Sequence, residues 1–460
     1  MSGTRPTTDP ANLDQVIKAY DVRGTVPDQV DEELARSVGR AFVEVTGAAT
    51  TGVVVGHDMR PSSPGLAQAF AEGASHAGAD VTMIGLASTD QLYFASGHLG
   101  LPGAMFTASH NPAQYNGIKL CRAGAAPVGR DTGLARVRDL VAAGEAPPGA
   151  TPGRVEQRDV LEDYAAHLRS LAPVTGRRLR VVVDAGNGMA GHTAPAVLGP
   201  LDLHVVELYY ELDGTFPHHE ANPIEPDNLR DLQAAVLHEG ADLGLAFDGD
   251  ADRCFVVDER GEAVSPSVLT ALIAARELAK EPGATVIHNL ITSRAVPEII
   301  AEQGGRAVRT RVGHSYIKAT MAETGAVFGG EHSGHFYFRD FWRADSGMLA
   351  ALHVLAALAE QDGPLSALLA DYSRYRASGE INSTVTDQAG VVARLEKGYA
   401  GQPGVEVDHL DGLTVTHDDW WFNVRPSNTE PLLRLNAEGR DEATMTALRD
   451  EVLTTIRSAP

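Results

Sequence analysis

Short apolar runs alternate with stretches of helical periodicity through the first three-quarters of the chain, and nothing else in the sequence constrains the fold as tightly. Val53-Val54-Val55 reads as a strand, Pro64 to Ala77 as a helix closed by Gly78, and Ala79 to Ile84 as the next strand, an order that implies parallel α/β units. Val30 to Val45 adds a helix with Leu34, Val38, Ala41 and Phe42 on one face. The pattern continues with a helix from about Glu156 to Leu171, the strand Leu179 to Val183, the helix Ser267 to Lys280, the strand Thr285 to Ile287, the helix Arg294 to Gln303 and the strand Ala307 to Thr310. After about Ser373 the texture changes. Ile381 to Val385 and Leu432 to Leu435 read as strands and Glu442 to Ile456 as a closing helix, which predicts a smaller α+β unit. A chain of 460 residues has room for three or four domains.

A formal net charge of −23 opposes nonspecific binding to nucleic acid or to an anionic membrane, so an anionic substrate needs a local positive pocket. Cys121 and Cys254 cannot form a disulfide framework, and both lie in apolar stretches as small core residues do, which fits a reducing cytoplasm. Met1 to Asp14 has neither the apolar core nor the basic flank of a secretory signal, and its first dozen residues read as a loose tail. No run is long enough to span a bilayer. Ala146 to Gly153, rich in Pro and Gly, reads as a linker.

Four motifs carry chemistry. Thr107-Ala108-Ser109-His110-Asn111-Pro112 follows the apolar Ala104-Met105-Phe106 and reads as a turn at a strand's carboxyl end, where open α/β sheets place ligands. Ser109 is the candidate nucleophile, with His110 and Asn111 supplying donors beside it. In Asp248-Gly249-Asp250-Ala251-Asp252-Arg253, carboxylates alternate directly after the strand Leu243 to Phe247. Acids so close repel each other and need a cation, and ligation by oxygen alone suits Mg²⁺. An EF-hand is excluded although Glu259 falls at its twelfth position: Arg253 sits where that loop needs glycine, and strands rather than helices flank it. A haloacid-dehalogenase-like phosphatase, in which Asp248 itself accepts phosphate, is a rival that makes Ser109 unnecessary. Gly329-Gly330-Glu331-His332-Ser333-Gly334-His335 offers an acid and a hydroxyl for vicinal sugar hydroxyls on a glycine-flanked loop. Zinc on its two histidines lacks a cysteine or a further nearby histidine to complete it. Arg425-Pro426-Ser427-Asn428-Thr429 presents a guanidinium, hydroxyls and an amide, a set that fits a phosphate. The glycine-rich turn Asp184 to Gly191 lacks both the Rossmann spacing and the P-loop ending, and reads as a structural turn.

These four stretches in this order, together with Lys18-Ala19-Tyr20-Asp21-Val22-Arg23-Gly24, resemble the α-D-phosphohexomutase family over nearly the whole chain, most closely its phosphomannomutase/phosphoglucomutase branch. The resemblance implies an α/β protein of three similar mixed-sheet α/β domains and a smaller C-terminal α+β domain around a central cleft. The corresponding division is 1–155, with the phosphoserine loop, 156–259, with the metal loop, 260–372, with the sugar loop, and 373–460, the phosphate-binding domain. It further implies a phosphoserine at Ser109, metal on Ser109, Asp248, Asp250 and Asp252 with Arg253 beside it, sugar contacts from Glu331, His332, Ser333 and His335, and phosphate contacts from Arg425, Ser427, Asn428 and Thr429. Tyr20, Arg23, Lys119 and His314 fall on positions that face substrate in relatives.

The activity so implied interconverts a hexose 6-phosphate and a hexose 1-phosphate, of mannose or glucose, through a hexose 1,6-bisphosphate that also serves as activator. Ser109, His110, Lys119, Arg253 and His335 form the catalytic group, with either His335 or Lys119 as general base. Mg²⁺ is the expected metal and hexose phosphates the expected partners, in a monomer or homodimer. Phosphoglucosamine mutase is the nearest alternative, because His332 stands where relatives vary and does not settle the sugar. Ile291 stands near a position where some relatives carry a lysine facing the active site.

Overall fold

The computed structural model describes residues 6–144, 151–427 and 432–458, apart from the side chains of 314 and 315. The chain forms two units, Met1–Ser265 with Ser333–Ser366, and Pro266–His332 with Ala367–Pro460.

In the first unit the strands expected at 53–55, 79–84 and 104–106 join others in a mixed sheet of order Val22–Thr25, Tyr115–Arg122, Gly103–Phe106, Val53–His57, Val81–Leu86 and Val155–Gln157, with Ala126–Pro127 paired to Tyr115–Arg122. Val53–His57 runs parallel to both neighbours, whereas Tyr115–Arg122 runs antiparallel to Gly103–Phe106 and to Val22–Thr25. The helices Glu32–Thr46, Ser63–His76 and Leu134–Ala143 bury Leu34, Val38, Phe42, Phe70 and Val137 with Val53, Val55 and Phe106 in one core. Two glycines let the first two of these helices meet. A Cβ on Gly39 would stand 2.3 Å from the Phe70 carbonyl oxygen, and one on Gly73 2.0 Å from that of Arg36.

A second mixed sheet has the order Ala263–Val264, Cys254–Asp258, Leu243–Phe247, Leu179–Asp184 and Leu203–Leu208. Leu179–Asp184 and Leu243–Phe247 are parallel, and Cys254–Asp258 returns antiparallel. The 107–114 loop of the first sheet and the 248–253 loop of the second therefore occupy the same topological place, between a parallel strand and its antiparallel successor. Strands flank the carboxylate loop, as the exclusion of an EF-hand requires. Both cysteines are thiols outside any disulfide, buried within strands. The hairpin of Phe336–Phe338 and Ala344–Asp345, followed by the buried helix Gly347–Ala359, also belongs to this unit.

The second unit contains Thr285–Asn289 running parallel to Arg306–Thr310 and to Phe328–Gly330. It also holds an antiparallel sheet of order Arg376–Thr384, Leu432–Gly439, Trp420–Pro426, Leu413–His417 and Glu406–Asp408. The helices Gln388–Tyr399 and Glu442–Arg457 bury Val391, Leu395, Leu448 and Val452 against this sheet, which is the expected α+β unit.

Two expectations need correction. The initial segment is ordered from Pro10: Asp9 caps the helix Pro10–Val16, and Leu13 and Val16 are fully buried, so an apolar pair one turn apart outweighs the Thr/Pro/Ser composition around it. The helix expected from Glu156 begins at Leu161, where the Asp159 carboxylate accepts the Leu161 N–H at 2.9 Å. Val155–Gln157 is instead an exposed edge strand parallel to Val81–Met83. No helix among the described residues is long and apolar enough to cross a membrane.

Candidate active site

Ser109 stands in the turn after Gly103–Phe106, 5% exposed, with φ at +50°, a left-handed conformation that costs a non-glycine residue free energy. Arg60 holds the turn in that shape. Its fully buried guanidinium donates to the carbonyls of Ser109 at 2.9 Å, Asn111 at 2.7 Å, Pro112 at 2.9 Å and Tyr115 at 3.0 Å, and it pairs with buried Asp58 at 3.2 Å. The carboxylate loop packs directly on this turn, since a Cβ on Gly249 would lie 2.5 Å from the Ser109 carbonyl oxygen. Ser109 Oγ donates to Asp248 Oδ2 at 2.9 Å, and His110 Nδ1 lies 3.1 Å from the same Oγ. Burial, reinforced by Arg253 and Arg23, pushes the His110 imidazole well below its usual range and keeps it neutral.

All three aspartates of the loop are buried. Asp248 accepts the Arg253 N–H on Oδ1 at 3.1 Å and Arg253 Nε on Oδ2 at 2.8 Å. Burial raises its carboxyl to about 7, against the pull of Arg253. Asp250 Oδ2 accepts from Lys119 Nζ at 2.7 Å and from Thr89 Oγ1 at 2.6 Å, and Asp252 Oδ2 accepts from Lys119 Nζ at 2.6 Å. Burial works against the charge on Asp250, yet Lys119 holds its carboxyl well below the usual range. Burial likewise opposes the charge on Lys119, but Asp250 and Asp252 raise the ammonium well above its ordinary value. Asp250 Oδ1 and Asp252 Oδ1 have no hydrogen-bond partner among the described residues, and neither has Arg253 Nη2. Ligand oxygens of the three aspartates lie within 4.8 Å of one another. Two buried, unmatched carboxylate oxygens beside a third acid fit a hard cation, and the all-oxygen donor set matches Mg²⁺.

Of the remaining first-unit candidates, Arg23 and His335 reach this group through Asn111 and Asp252. Arg23 Nη1 donates to Asn111 Oδ1 at 2.7 Å, and Tyr20 is half-buried just ahead of the Arg23 strand. His335, whose backbone bridges to Arg253, places Nδ1 3.0 Å from Ser333 Oγ and Nε2 3.6 Å from Asp252 Oδ1.

A separate group lies in the second unit. Buried Glu331 accepts the Gly313 N–H at 3.2 Å and Asn289 Nδ2 at 3.4 Å on Oε1. Arg425 Nη2 donates to Glu380 Oε2 at 2.7 Å, Arg434 Nη1 lies 3.4 Å from Glu380 Oε1, and Arg434 Nη2 is 3.5 Å from Ser427 Oγ. Burial lowers the His332 imidazole, with Glu380 opposing and Arg425 adding to the shift. Ile291 is buried with Leu290 and Trp421 in an apolar cluster. Asn428 and Thr429 lie outside the described residues, and of His314 only the backbone, at the start of the helix His314–Thr324, is described.

Sequence reasoning missed the supports. Arg60 and Asp58, Thr89 on Asp250, and buried Asp90 next to Thr89 act across the fold. The Asp90 carboxyl accepts Tyr164 Oη at 2.8 Å and Ser346 Oγ at 2.7 Å, and burial raises it to about 7. The charged Asp58-Met59-Arg60 directly after the strand Val53–His57 is the signal that marks the first pair.

Comparison with known proteins gives the family. Family profiles described as phosphoglucomutase/phosphomannomutase alpha/beta/alpha domains I, II and III match residues 14–147, 162–261 and 266–375, and the C-terminal domain profile matches 380–455. The chain is 40% identical to a phosphomannomutase of Salmonella montevideo over 96% of its length and 98% of the relative's. It is 41% identical to a protein of Xanthomonas campestris pv. campestris named phosphohexose mutases, over 95% of this chain and 98% of that one. A crystal structure of a phosphoglucomutase/phosphomannomutase family protein from Burkholderia thailandensis superposes with a TM-score of 0.88 at 34% identity, covering 96% of this chain and 97% of that one. Matches to all four domain profiles, with relatives aligned over nearly their full length, establish that the chain belongs to the phosphoglucomutase/phosphomannomutase family and is a phosphohexomutase, an intramolecular phosphotransferase.

Proposed function

We propose that the enzyme interconverts the 1- and 6-phosphates of mannose and glucose through a phosphoserine at Ser109 and a hexose 1,6-bisphosphate. The observation that carries this reading is the left-handed Ser109 turn, whose Oγ lies 2.9 Å from Asp248 Oδ2 beside the unmatched oxygens of Asp250 and Asp252. Mg²⁺ bound by Asp248, Asp250, Asp252 and the phosphorylated Ser109 supplies charge neutralisation for the moving phosphoryl group.

The chain's own residues supply the rest. Arg253, with Nη2 unspent, takes an equatorial oxygen of the transferring group. Lys119 is the electrostatic partner of Asp250 and Asp252 rather than the base, because those two carboxylates hold its ammonium protonated. His335, oriented through Nδ1 by Ser333, is the better general base for the accepting hydroxyl. Glu331 and Ser333 address sugar hydroxyls, and Arg425 with Ser427, Asn428 and Thr429 takes the phosphate that is not reacting. After the first transfer the bisphosphate reorients, and its other phosphate returns to Ser109. The hexose preference follows the names of the matched relatives, phosphomannomutase and phosphohexose mutases, and disfavours the amino sugar.

The experiment is to label the enzyme from radiolabelled glucose 1,6-bisphosphate. An acid-stable, hydroxylamine-resistant label that vanishes in Ser109→Ala supports the reading. A hydroxylamine-labile label that survives the substitution moves the phosphoryl group to Asp248.

A further inference from the structure

His335 stands against two buried carboxylates, Asp252 from the remote carboxylate loop and Asp345 from the returning strand of the hairpin that follows His335. Its Nε2 is 3.6 Å from Asp252 Oδ1, and one ligand atom each from Asp252, His335 and Asp345 lie within 4.8 Å of one another. Asp252 is 1% and Asp345 3% exposed. Lys119 occupies Asp252 Oδ2 and leaves Oδ1 with no hydrogen-bond partner among the described residues. The ring is positioned twice over, by the backbone bridge from His335 to Arg253 and by Ser333 Oγ at Nδ1. A hydroxyl at one ring nitrogen that turns the other toward carboxylates is the arrangement that orients metal-binding histidines.

The donor set decides the ion. Mg²⁺ favours oxygen ligands in an octahedron, whereas one imidazole with two carboxylates suits a borderline transition metal that keeps a fourth position for water. In a tetrahedral site with bonds of about 2.0–2.1 Å, ligand atoms stand roughly 3.4 Å apart, close to the separation of His335 Nε2 and Asp252 Oδ1. Sequence spacing could not show this site, because Asp252 comes from a distant loop and Asp345 is brought back to His335 only by the pairing of its hairpin.

The geometry points to a second divalent-cation site, formed by Asp252, His335 and Asp345, that takes Zn²⁺ or a metal of similar preference and shares Asp252 with the three-aspartate loop. Its consequence rests on the function proposed above: an ion there occupies the Nε2 of the proposed base and an oxygen of a proposed Mg²⁺ ligand, so it inhibits. Binding itself is independent of that reading.

The test is equilibrium dialysis and calorimetry of the full chain with Zn²⁺ in excess Mg²⁺, for the wild type, Asp345→Asn and His335→Gln. Outer partners of metal ligands alone are worth about tenfold to a hundredfold in affinity, so loss of a direct ligand should weaken Zn²⁺ binding by at least that much in each variant. Zn²⁺ inhibition of Asp345→Asn should be relieved in proportion, while its Mg²⁺-induced thermal shift is retained and shows that the fold and the three-aspartate loop are intact. If Asp345→Asn does not fold, the binding measured on His335→Gln decides. Zn²⁺ affinity unchanged in the variants places the ion on the three aspartates and overturns the proposal, as does the absence of Zn²⁺ binding to the wild type. Zn²⁺ binding that depends on both residues without inhibition keeps the site and removes only the role given to His335.

Discussion

Lys119→Met isolates the electrostatics of the site. One ammonium, with a side chain 18% exposed, serves Asp250 Oδ2 at 2.7 Å and Asp252 Oδ2 at 2.6 Å. Each charge-assisted hydrogen bond is worth about 1.5–3 kcal/mol, and breaking a buried ion pair by removing one partner typically costs about 3–5 kcal/mol. In the variant Asp250 Oδ2 keeps only Thr89, and Asp252 Oδ2 loses its donor. The metal-free protein should therefore lose about 3–5 kcal/mol, seen as a melting temperature lower by roughly 5 °C. The sign reverses for the cation: two carboxylates freed of their counter-charge attract a dication more strongly, so the Mg²⁺-induced rise in melting temperature should be larger in the variant than in the wild type. Turnover at saturating Mg²⁺ should still fall, by about a hundredfold, since a positive charge beside the moving phosphoryl group is gone. Differential scanning fluorimetry in EDTA and in Mg²⁺, with a coupled mutase assay, reads all three quantities. A metal-free variant as stable as the wild type, or no added gain from Mg²⁺, would refute the argument.

Thr89→Val should raise the Mg²⁺ concentration for half-maximal binding by about tenfold, with Thr89→Ser restoring it, because the hydroxyl fixes Asp250 Oδ2 at 2.6 Å and turns Oδ1 outward; calorimetry on the unphosphorylated enzyme checks this. Arg425→Ala should lower kcat/KM by about tenfold to a hundredfold, equally for 1-phosphate and 6-phosphate substrates, since each end of the sugar must visit that group. Loss confined to one substrate would contradict reorientation. His288, buried in the second unit, is lowered by burial to about 4, below its unfolded value near 6.5, so its contribution is complete above about 6.5 and is lost as pH falls toward 4. The wild type should lose up to about 3 kcal/mol across that window relative to His288→Gln, followed by tryptophan fluorescence during denaturation.

Elements with a strong period were legible in the sequence, and those decided by long-range contact were not. The helix Glu32–Thr46 advertises itself through Leu34, Val38 and Phe42, with Asp31 as its cap and Gly47 as its stop. Pro10–Val16 has only Leu13 and Val16 to show, and Val155–Gln157 is too short and too exposed for an alternating pattern to register. The same division holds at the site. Ser109 in its turn, and the three aspartates with Arg253 in theirs, each sit in one short and chemically loud stretch, whereas Arg60 reaches the Ser109 carbonyl across 49 residues and Thr89 reaches Asp250 across 161. The proposed choice of His335 over Lys119 as base rests on Lys119 Nζ standing between two carboxylates, which no sequence spacing displays. His332, half-buried near Glu380 and Arg425, still reads no particular sugar hydroxyl.

On the proposed function, charge gives the two phosphates of the bisphosphate to different groups. Around Ser109, Asp248, Asp250 and Asp252 outnumber Arg253 and Lys119 by one, while Arg60 and Arg23 are matched by Asp58 and Asp21. A phosphate dianion brought there meets net negative charge unless a divalent cation reverses it. Around Arg425 the balance is opposite, because Arg425 and Arg434 share one carboxylate, Glu380, and the excess is positive without any metal. The Arg425 group can thus hold a phosphate at rest, where the requirement is affinity for an unchanging dianion. The Ser109 group repels that dianion until metal is bound, and its buried carboxylates keep the positive charge local to the oxygens that move. In a chain of net charge −23, the proposed reaction therefore draws on a positive excess that the Arg425 group has by itself and that the Ser109 group has only with a bound dication, which makes the reacting phosphoryl group, rather than the resting one, the one that depends on metal.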